Sequence, residues 1–225
     1  MARISLITLL FIIVFLVGWK GTVHVSAVDL IYYSMPPSLK EKINLSLMES
    51  ASIVPDRVYK DFASHKYPYS YNKTRLLLVQ ARKSYKNSDF NNASYSFGLA
   101  SHYMLDSFDA PHYVVNETSR LHNEFESVPL NAFVDCKDYN LTLSSMNYKE
   151  SGKKDWASWI ETKNSNIQEK ELEAAMQLLY SSSIETFDFE CSRDSTTIEE
   201  TGIIHPNKET ILAFAFILVL ALRFF

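Results

Sequence analysis

The chain has 225 residues, a formal net charge of -4 and a sequence pI of about 5.9. This length allows one domain with a substantial hydrophobic core. Because acidic residues outnumber basic ones, the composition does not predict a broad basic face. This argues against a protein that attracts nucleic acid over long distances.

The first residues are typical of a secretory signal peptide. Arg3 supplies a positive charge, and residues 4–17 form an uncharged, mostly apolar run that is short for a membrane span. Cleavage after Gly18 would make Trp19 the first residue of the exported chain, whereas Ala27 ends the better small-residue cleavage motif. The sequence of this segment is compatible with cleavage after Gly18 and with cleavage after Ala27.

Helical spacing of apolar residues recurs along the chain, and the presence of only five glycines argues against a sheet protein. In chain order, we predict helices over residues 28–34, 38–51, 72–85, 92–108, 119–127 and 168–179. Ser38 is the predicted cap of the second helix, and Pro55 breaks the chain just before Asp56. The predicted fold is therefore all-α.

The C-terminal end of the chain predicts a membrane anchor. Residues 211–222 are apolar and uncharged, and they follow a polar linker. The alternatives are a tail that is removed during lipid anchoring and a helix that packs on the domain. We predict a signal peptide over residues 1–18, a main domain over 19–195, a linker over 196–209 and a hydrophobic segment over 210–225.

The cysteines and the glycosylation sequons fit an exported chain. Cys136 and Cys191 are the only cysteines, and an even pair in an exported protein predicts a disulfide, with two separate thiols as the alternative. Sequons begin at Asn44, Asn72, Asn92, Asn116 and Asn140. We therefore predict an extracellular or cell-surface glycoprotein that is anchored through its C-terminal end.

Five of the six histidines belong to one spaced series with acidic residues. His102 and Asp106 are four residues apart and share one face of a helix, and His122 and Glu126 repeat that spacing. A single pair of this kind is usually an ordinary hydrogen-bonded pair. Two pairs with His112 between them indicate a metal site, because buried imidazoles and carboxylates are costly unless they are paired or metal-bound.

Together with residues upstream, this series resembles the zinc-dependent phospholipase C family, whose superfamily also contains fungal single-strand nucleases with three zinc ions. The resemblance runs from Trp19 to Glu126 and implies a compact multi-helix domain with a trinuclear zinc cleft. The residues that carry it are Asp56, His65 at the end of Phe-Ala-Ser-His, His102-Tyr103, Asp106, His112, His122 and Glu126.

The resemblance also implies which residues bind each of the three zinc ions. The first ion would be bound by Asp56, His65, His102 and Asp106. The second would share Asp106 and add His24 with the amine and carbonyl of an N-terminal Trp19, which favours cleavage after Gly18. The third would be bound by His112, His122 and Glu126. Asp56 would also orient the attacking water or accept its proton.

The activity implied by the resemblance is that of a zinc-dependent phosphodiester hydrolase. A phospholipase C-like enzyme would cleave phospholipid headgroup esters through a zinc-bridged hydroxide. The alternatives are a nuclease-type phosphodiesterase and a non-catalytic, zinc-stabilised surface module. The Trp19 to His24 spacing is closer to the nucleases and the His-x3-Glu spacing to the phospholipases, so the substrate class stays open. Phospholipid and membrane are the expected partners, with no stable nucleic-acid partner.

Overall fold

The computed structural model describes residues 20–115, 118–127 and 142–190. These ranges are helical and contain no strand, so the predicted all-α fold is confirmed. The helices are α1 (Lys20–Ser34), α2 (Pro37–Lys40), α3 (Leu45–Ser52), α4 (Tyr69–Lys86), α5 (Phe90–Asp106), α6 (Ser119–Phe125), α7 (Lys149–Thr162) and α8 (Ser165–Phe187). Short helical turns lie at Pro55–Tyr59, Phe62–Ser64, Ala110–Tyr113 and Leu143–Met146.

Helix α5 is the central element of the domain. It packs against α1, α3, α4 and α8, and residues 96–106 are all buried. Its apolar surroundings include the fully buried side chains of Val28, Ile31, Met48, Met176 and Leu179. A helix buried on every side is normally apolar all round. The polar residues His102 and Asp106 at its C-terminal end therefore need partners inside the protein.

Gly98 allows α5 to pack closely against α3. A Cβ atom at this position would lie 2.4 Å from the carbonyl oxygen of Met48 and 2.9 Å from the Cβ of Ala51. A side-chain rotation cannot relieve a clash with backbone, so the two helices would have to separate. We expect Gly98→Ala to lower the free energy of unfolding by about 1–3 kcal/mol, measured by denaturant titration.

Gly21→Ala in α1 is the matched control for this prediction. A Cβ atom at Gly21 would meet the flexible end of the Arg57 side chain at 3.0 Å and would lie in ordinary contact with Ile53 Cγ2 at 3.4 Å. Alanine is also favoured over glycine in a helix by about 1 kcal/mol, so the control should be at least as stable as the wild type. A Gly98→Ala protein with wild-type stability would contradict the close packing of α3 and α5.

Two differences between the helices and the sequence prediction have a clear physical cause. The helix predicted over residues 38–51 is wrong, because the chain turns between α2 and α3 and the Asn44 side chain caps α3 by accepting a hydrogen bond from the Leu47 N–H. Asparagine is a favoured N-cap residue, and Ser38 lies inside α2 instead. Helix α7 is not among the predicted helices, because charged residues surround its two buried tryptophans, Trp156 and Trp159.

Several predictions fall on parts of the chain outside the described residues. These are the signal peptide, Trp19, the Cys136–Cys191 disulfide and the C-terminal hydrophobic segment. Among the helices of residues 20–190 that the structure describes, none is both long and apolar enough to cross a membrane. Export, the disulfide and the anchor stay predictions.

Candidate metal centre

Four side chains from three parts of the chain form the first cluster, which consists of Asp56, His65, His102 and Asp106. Each offers one ligand atom, and these atoms all lie within 4.8 Å of one another. Asp56 lies in the short turn Pro55–Tyr59, which ends where Lys60 takes a left-handed conformation and its N–H bonds to the Pro55 carbonyl. This turn brings Asp56 to the C-terminal end of α5.

Asp106 is the central carboxylate of the site. Its Oδ2 lies 2.9 Å from His65 Nδ1 and 3.0 Å from His102 Nε2, and its Oδ1 lies 3.3 Å from His24 Nε2. Burial favours the neutral acid, but the neighbouring imidazoles of His102 and His24 hold the pKa of Asp106 well below its ordinary value. An ionised carboxylate with its two oxygens directed to different sides has the geometry of a bridging ligand.

His102 forms a hydrogen bond to the backbone through its Nδ1 atom. Its Nδ1 lies 2.7 Å from the Ser52 carbonyl oxygen, and because a carbonyl only accepts, Nδ1 carries the hydrogen. The buried Nε2 makes no hydrogen bond of good geometry, although it faces Asp106 and lies 3.8 Å from Asp56 Oδ1. A histidine that ligates a metal usually donates its other N–H to a carbonyl or carboxylate. His102 therefore fits a zinc ligand.

The histidines that face Asp106 lie in a strongly negative environment. Burial disfavours the imidazolium, but the Asp106 carboxylate outweighs burial and raises the pKa of both His24 and His65 above the ordinary value. The His24 ring also stacks on the ring of His102, with 4.2 Å between centroids. The first cluster thus attracts positive charge, either as protons or as a metal ion.

The second cluster consists of Asp109, His112, His122 and Glu126, whose ligand atoms also lie within 4.8 Å of one another. His122 Nε2 lies 2.7 Å from Oε1 of Glu126, the residue that directly follows α6. Burial lowers the pKa of His112 to about 4, so this imidazole is neutral at pH 7. Neutral imidazole is the form that binds a metal ion.

Asp109 is the member of the second cluster that is absent from the predicted series. Asp106, Asp109 and His112 follow one another at three-residue spacing, and tight turns after α5 bring them together: the Asp109 N–H bonds to the Asp106 carbonyl and the His112 N–H to the Asp109 carbonyl. That spacing was the only signal of Asp109 in the sequence.

A cavity of about 600 Å³ is lined by residues of both clusters. Cavities that bind small molecules usually measure about 300–1,000 Å³. The cluster residues that line it are Asp56, His65, Asp106, His112, His122 and Glu126. Arg57 and Lys66 also line it, and neither belongs to the predicted series. Their positive charges suit an anionic substrate.

A second cavity of about 90 Å³ lies beside the clusters and is mostly apolar. Glu171 of α8 lines it, and burial raises the pKa of this carboxyl to about 9. Its Oε2 accepts a hydrogen bond of 3.2 Å from the Ala110 N–H. Glu171, which lies outside the predicted series, thereby holds the turn that carries His112.

Eight of the nine predicted site residues lie within the described residues, and the structure brings all eight to one end of α5. His24 lies beside Asp106, and the other seven belong to the two clusters. Trp19, the ninth, lies outside the described ranges. Which of these side chains bind zinc stays a prediction.

A family model for zinc-dependent phospholipase C matches residues 23–186 of the chain. The matched region is well over half of the chain and includes every predicted site residue except Trp19. Searches of curated proteins and of solved structures found no match.

Proposed function

The chain belongs to the zinc-dependent phospholipase C family, and on that premise we propose that it is a zinc-dependent phosphodiesterase that hydrolyses phospholipid headgroup esters. The observation that carries the proposal is the pair of histidine–carboxylate clusters that line one cavity of substrate size. A non-catalytic zinc module would need neither a cavity shared by the two clusters nor a carboxylate like that of Asp106, whose oxygens face His65 and His102 on one side and His24 on the other.

The ligand sets of this proposal follow the clusters. Asp56, His65, His102 and Asp106 would hold one zinc ion, and the buried Nε2 of His102, which faces Asp106 without a hydrogen bond of good geometry, supports that assignment. A second ion would share Asp106 with His24 and the N-terminal amine of Trp19. The third would be held by the histidines and Glu126 of the second cluster. Three ions are a part of the proposal that metal analysis of the purified protein tests directly.

Zinc, when bound, supplies the charge that lowers the pKa of water to about 7 and stabilises developing negative charge on phosphate. The chain's own contribution is to position the reactants. Asp56 lines the large cavity with about a quarter of its side chain exposed (26%), and its Oδ1 lies 3.7 Å from His65 Nδ1. At this position in the cavity wall, Asp56 would be able to orient a water that attacks the substrate and to accept the proton of that water.

Arg57 and Lys66 give the cavity its affinity for a phosphodiester. Both line the cavity with the cluster residues, and both carry a positive charge at neutral pH. A phosphate held between these cations and the clusters would expose its ester bond to the water beside Asp56. Attack of this water on phosphorus would break the bond to the lipid oxygen, which takes up a proton and leaves as the lipid alcohol, and the phosphorylated headgroup would be released.

Phospholipid is favoured over single-stranded nucleic acid as the substrate. The family assignment supports a phospholipid, and the net charge of -4 would weaken attraction to a polyanion. The test uses the exported chain that begins at Trp19, purified in detergent and loaded with zinc, with phosphatidylcholine in mixed micelles and with single-stranded DNA. Phosphocholine release supports the proposal, nucleotide release assigns a nuclease, and a zinc-loaded protein that cleaves neither substrate contradicts both.

The proposal includes export and cleavage after Gly18. Cleavage there creates the free Trp19 amine, five residues before His24. N-terminal sequencing of the exported protein tests this point. A sequence that begins at Val28 would remove both residues from the mature protein and exclude the second zinc position as proposed.

A further inference from the structure

Asp61 is an acidic residue beside the first cluster that belongs to neither of the two clusters. It directly precedes the helical turn Phe62–Ser64, and its carbonyl oxygen accepts a hydrogen bond of 2.7 Å from the Ser64 N–H. This turn brings the carboxylate of Asp61 next to the imidazole of His65, with 3.6 Å between Oδ1 and Nε2. Asp61 therefore lies directly behind a residue of the predicted zinc site.

The two nitrogens of His65 face different groups. Nδ1 lies 2.9 Å from Asp106 Oδ2 and 3.7 Å from Asp56 Oδ1, so it is the nitrogen on the side of the first cluster. Nε2 is buried and faces Asp61, but it makes no hydrogen bond of good geometry within the described part of the chain. A neutral imidazole that binds a metal ion through Nδ1 carries its hydrogen on Nε2. Because the His65 side chain is only 3% exposed, that hydrogen needs an acceptor inside the protein.

The hydrogen bonds of Asp61 all involve one of its two carboxylate oxygens. Oδ2 accepts from the Lys73 ammonium and, at 2.9 Å, from the Tyr103 hydroxyl. The ammonium also lies 3.2 Å from the Tyr103 oxygen. Oδ1 is buried and makes no hydrogen bond with the residues that the structure describes. Two buried polar atoms that lack hydrogen bonds, Asp61 Oδ1 and His65 Nε2, thus face each other.

The carboxylate of Asp61 is anchored to the elements that carry the site. Lys73 belongs to α4 and Tyr103 to α5, and these two helices pack against each other. Burial favours the neutral acid, but the bonds from Lys73 and Tyr103 outweigh burial and hold the pKa of Asp61 below its ordinary value. Asp61 therefore presents a fixed negative charge to His65 from the frame that also holds His102 and Asp106.

We propose that Asp61 is a positioning residue of the first cluster, whose Oδ1 accepts the Nε2–H of His65 and so directs Nδ1 to the metal ion. The inference rests on the proposed zinc site and is independent of the substrate. Histidines that ligate a metal usually donate their second N–H to a carboxylate, a carbonyl or water. His102 has such a partner in the Ser52 carbonyl, and Asp61 would be the equivalent partner of His65. With the ion bound, the gap of 3.6 Å should close to a hydrogen bond of about 2.7–2.9 Å.

An Asp61→Ala substitution tests this inference in the exported chain that begins at Trp19, loaded with zinc. Loss of a residue that supports a metal ligand typically costs about 10–100-fold in metal affinity, so zinc binding at one site should weaken by that factor in competition with a chelator. The second readout is the proton–nitrogen NMR spectrum of protein with nitrogen-15 in its histidines. The buried His65 Nε2–H signal, assigned by its absence from a His65→Asn protein, should be visible in the wild type and lost to exchange with water in Asp61→Ala.

Lys73→Gln is the matched control for a merely structural role of Asp61. This change removes the Lys73–Asp61 ion pair but leaves the carboxylate in place, with its bond from the Tyr103 hydroxyl. The control should keep the His65 signal and a zinc affinity close to that of the wild type. An equal loss in Lys73→Gln would overturn the inference, because the ion pair and not the acceptor would then matter.

Wild-type zinc affinity and an intact His65 signal in Asp61→Ala would also overturn the inference. If this variant does not fold, a crystal structure of the zinc-loaded wild type decides. Asp61 Oδ1 within hydrogen-bond distance of His65 Nε2 supports the inference, and a separation that stays beyond 3.5 Å overturns it. A wild-type protein that binds no zinc contradicts the proposed function as a whole, whereas an active, zinc-loaded protein that is insensitive to Asp61→Ala contradicts this inference alone.

Discussion

Replacing Asp106 with asparagine should lower the rate of phosphodiester hydrolysis by at least about 10³-fold, more than the loss of a single stabilising hydrogen bond usually costs. The reason is the position of this carboxylate, whose oxygens face His65 and His102 on one side and His24 on the other. An amide has one oxygen and no charge. The single amide oxygen cannot face the histidines on both sides as the two carboxylate oxygens do. The variant should therefore also bind less zinc.

The measurement pairs initial rates on phosphatidylcholine micelles with zinc content, and circular dichroism checks that the helices remain. Glu124→Gln is the matched control. Glu124 pairs with Arg120 and Lys163 at the surface and belongs to neither cluster. The control should retain its zinc. Wild-type zinc content and rate in the Asp106→Asn protein would rule out a bridging role for this residue.

Asp56→Asn should also abolish most activity, but with little loss of metal or fold. Asp56 Oδ1 lies farther from the histidines than the Asp106 oxygens do, at 3.7 and 3.8 Å, and the side chain reaches the large cavity. The amide oxygen can remain near a metal ion but cannot accept a proton. Removal of a general base typically costs about 10²–10⁴-fold in rate.

The readout for Asp56→Asn is the turnover rate at saturating substrate, together with zinc content and the midpoint of thermal unfolding. Glu49→Gln is a suitable control because it replaces a carboxylate with an amide on α3 at a position that belongs to neither cluster. It should keep the wild-type rate. Full activity in Asp56→Asn would show that another group orients the water. It would not change the proposed zinc ligands.

The parts of the site that could be predicted from sequence are those that depend on helical spacing. His102 and Asp106 lie one turn apart on α5, and His122 and Glu126 lie one turn apart at α6, as their four-residue separations predict. The all-α fold follows from the same periodicity. His65, which lies far from these pairs in sequence, could be assigned only through the resemblance to a family.

The remaining parts depend on tertiary structure that spacing does not encode. Asp109 joins the second cluster because tight turns after α5 reverse the chain, and Glu171 comes from α8 to bond the Ala110 N–H. Asn44 ends the predicted long helix because its side chain competes for the backbone N–H of Leu47. In each case, a contact between distant segments or a local cap overrides the helical pattern.

Diffraction from crystals of the zinc-loaded chain, recorded on both sides of the zinc absorption edge, tests the central claim most directly. The account predicts anomalous peaks among Asp56, His65, His102 and Asp106, between Asp106 and His24, and within the second cluster. Zinc-loaded crystals with no peak at either cluster would contradict the claim that these histidines and carboxylates form a zinc centre.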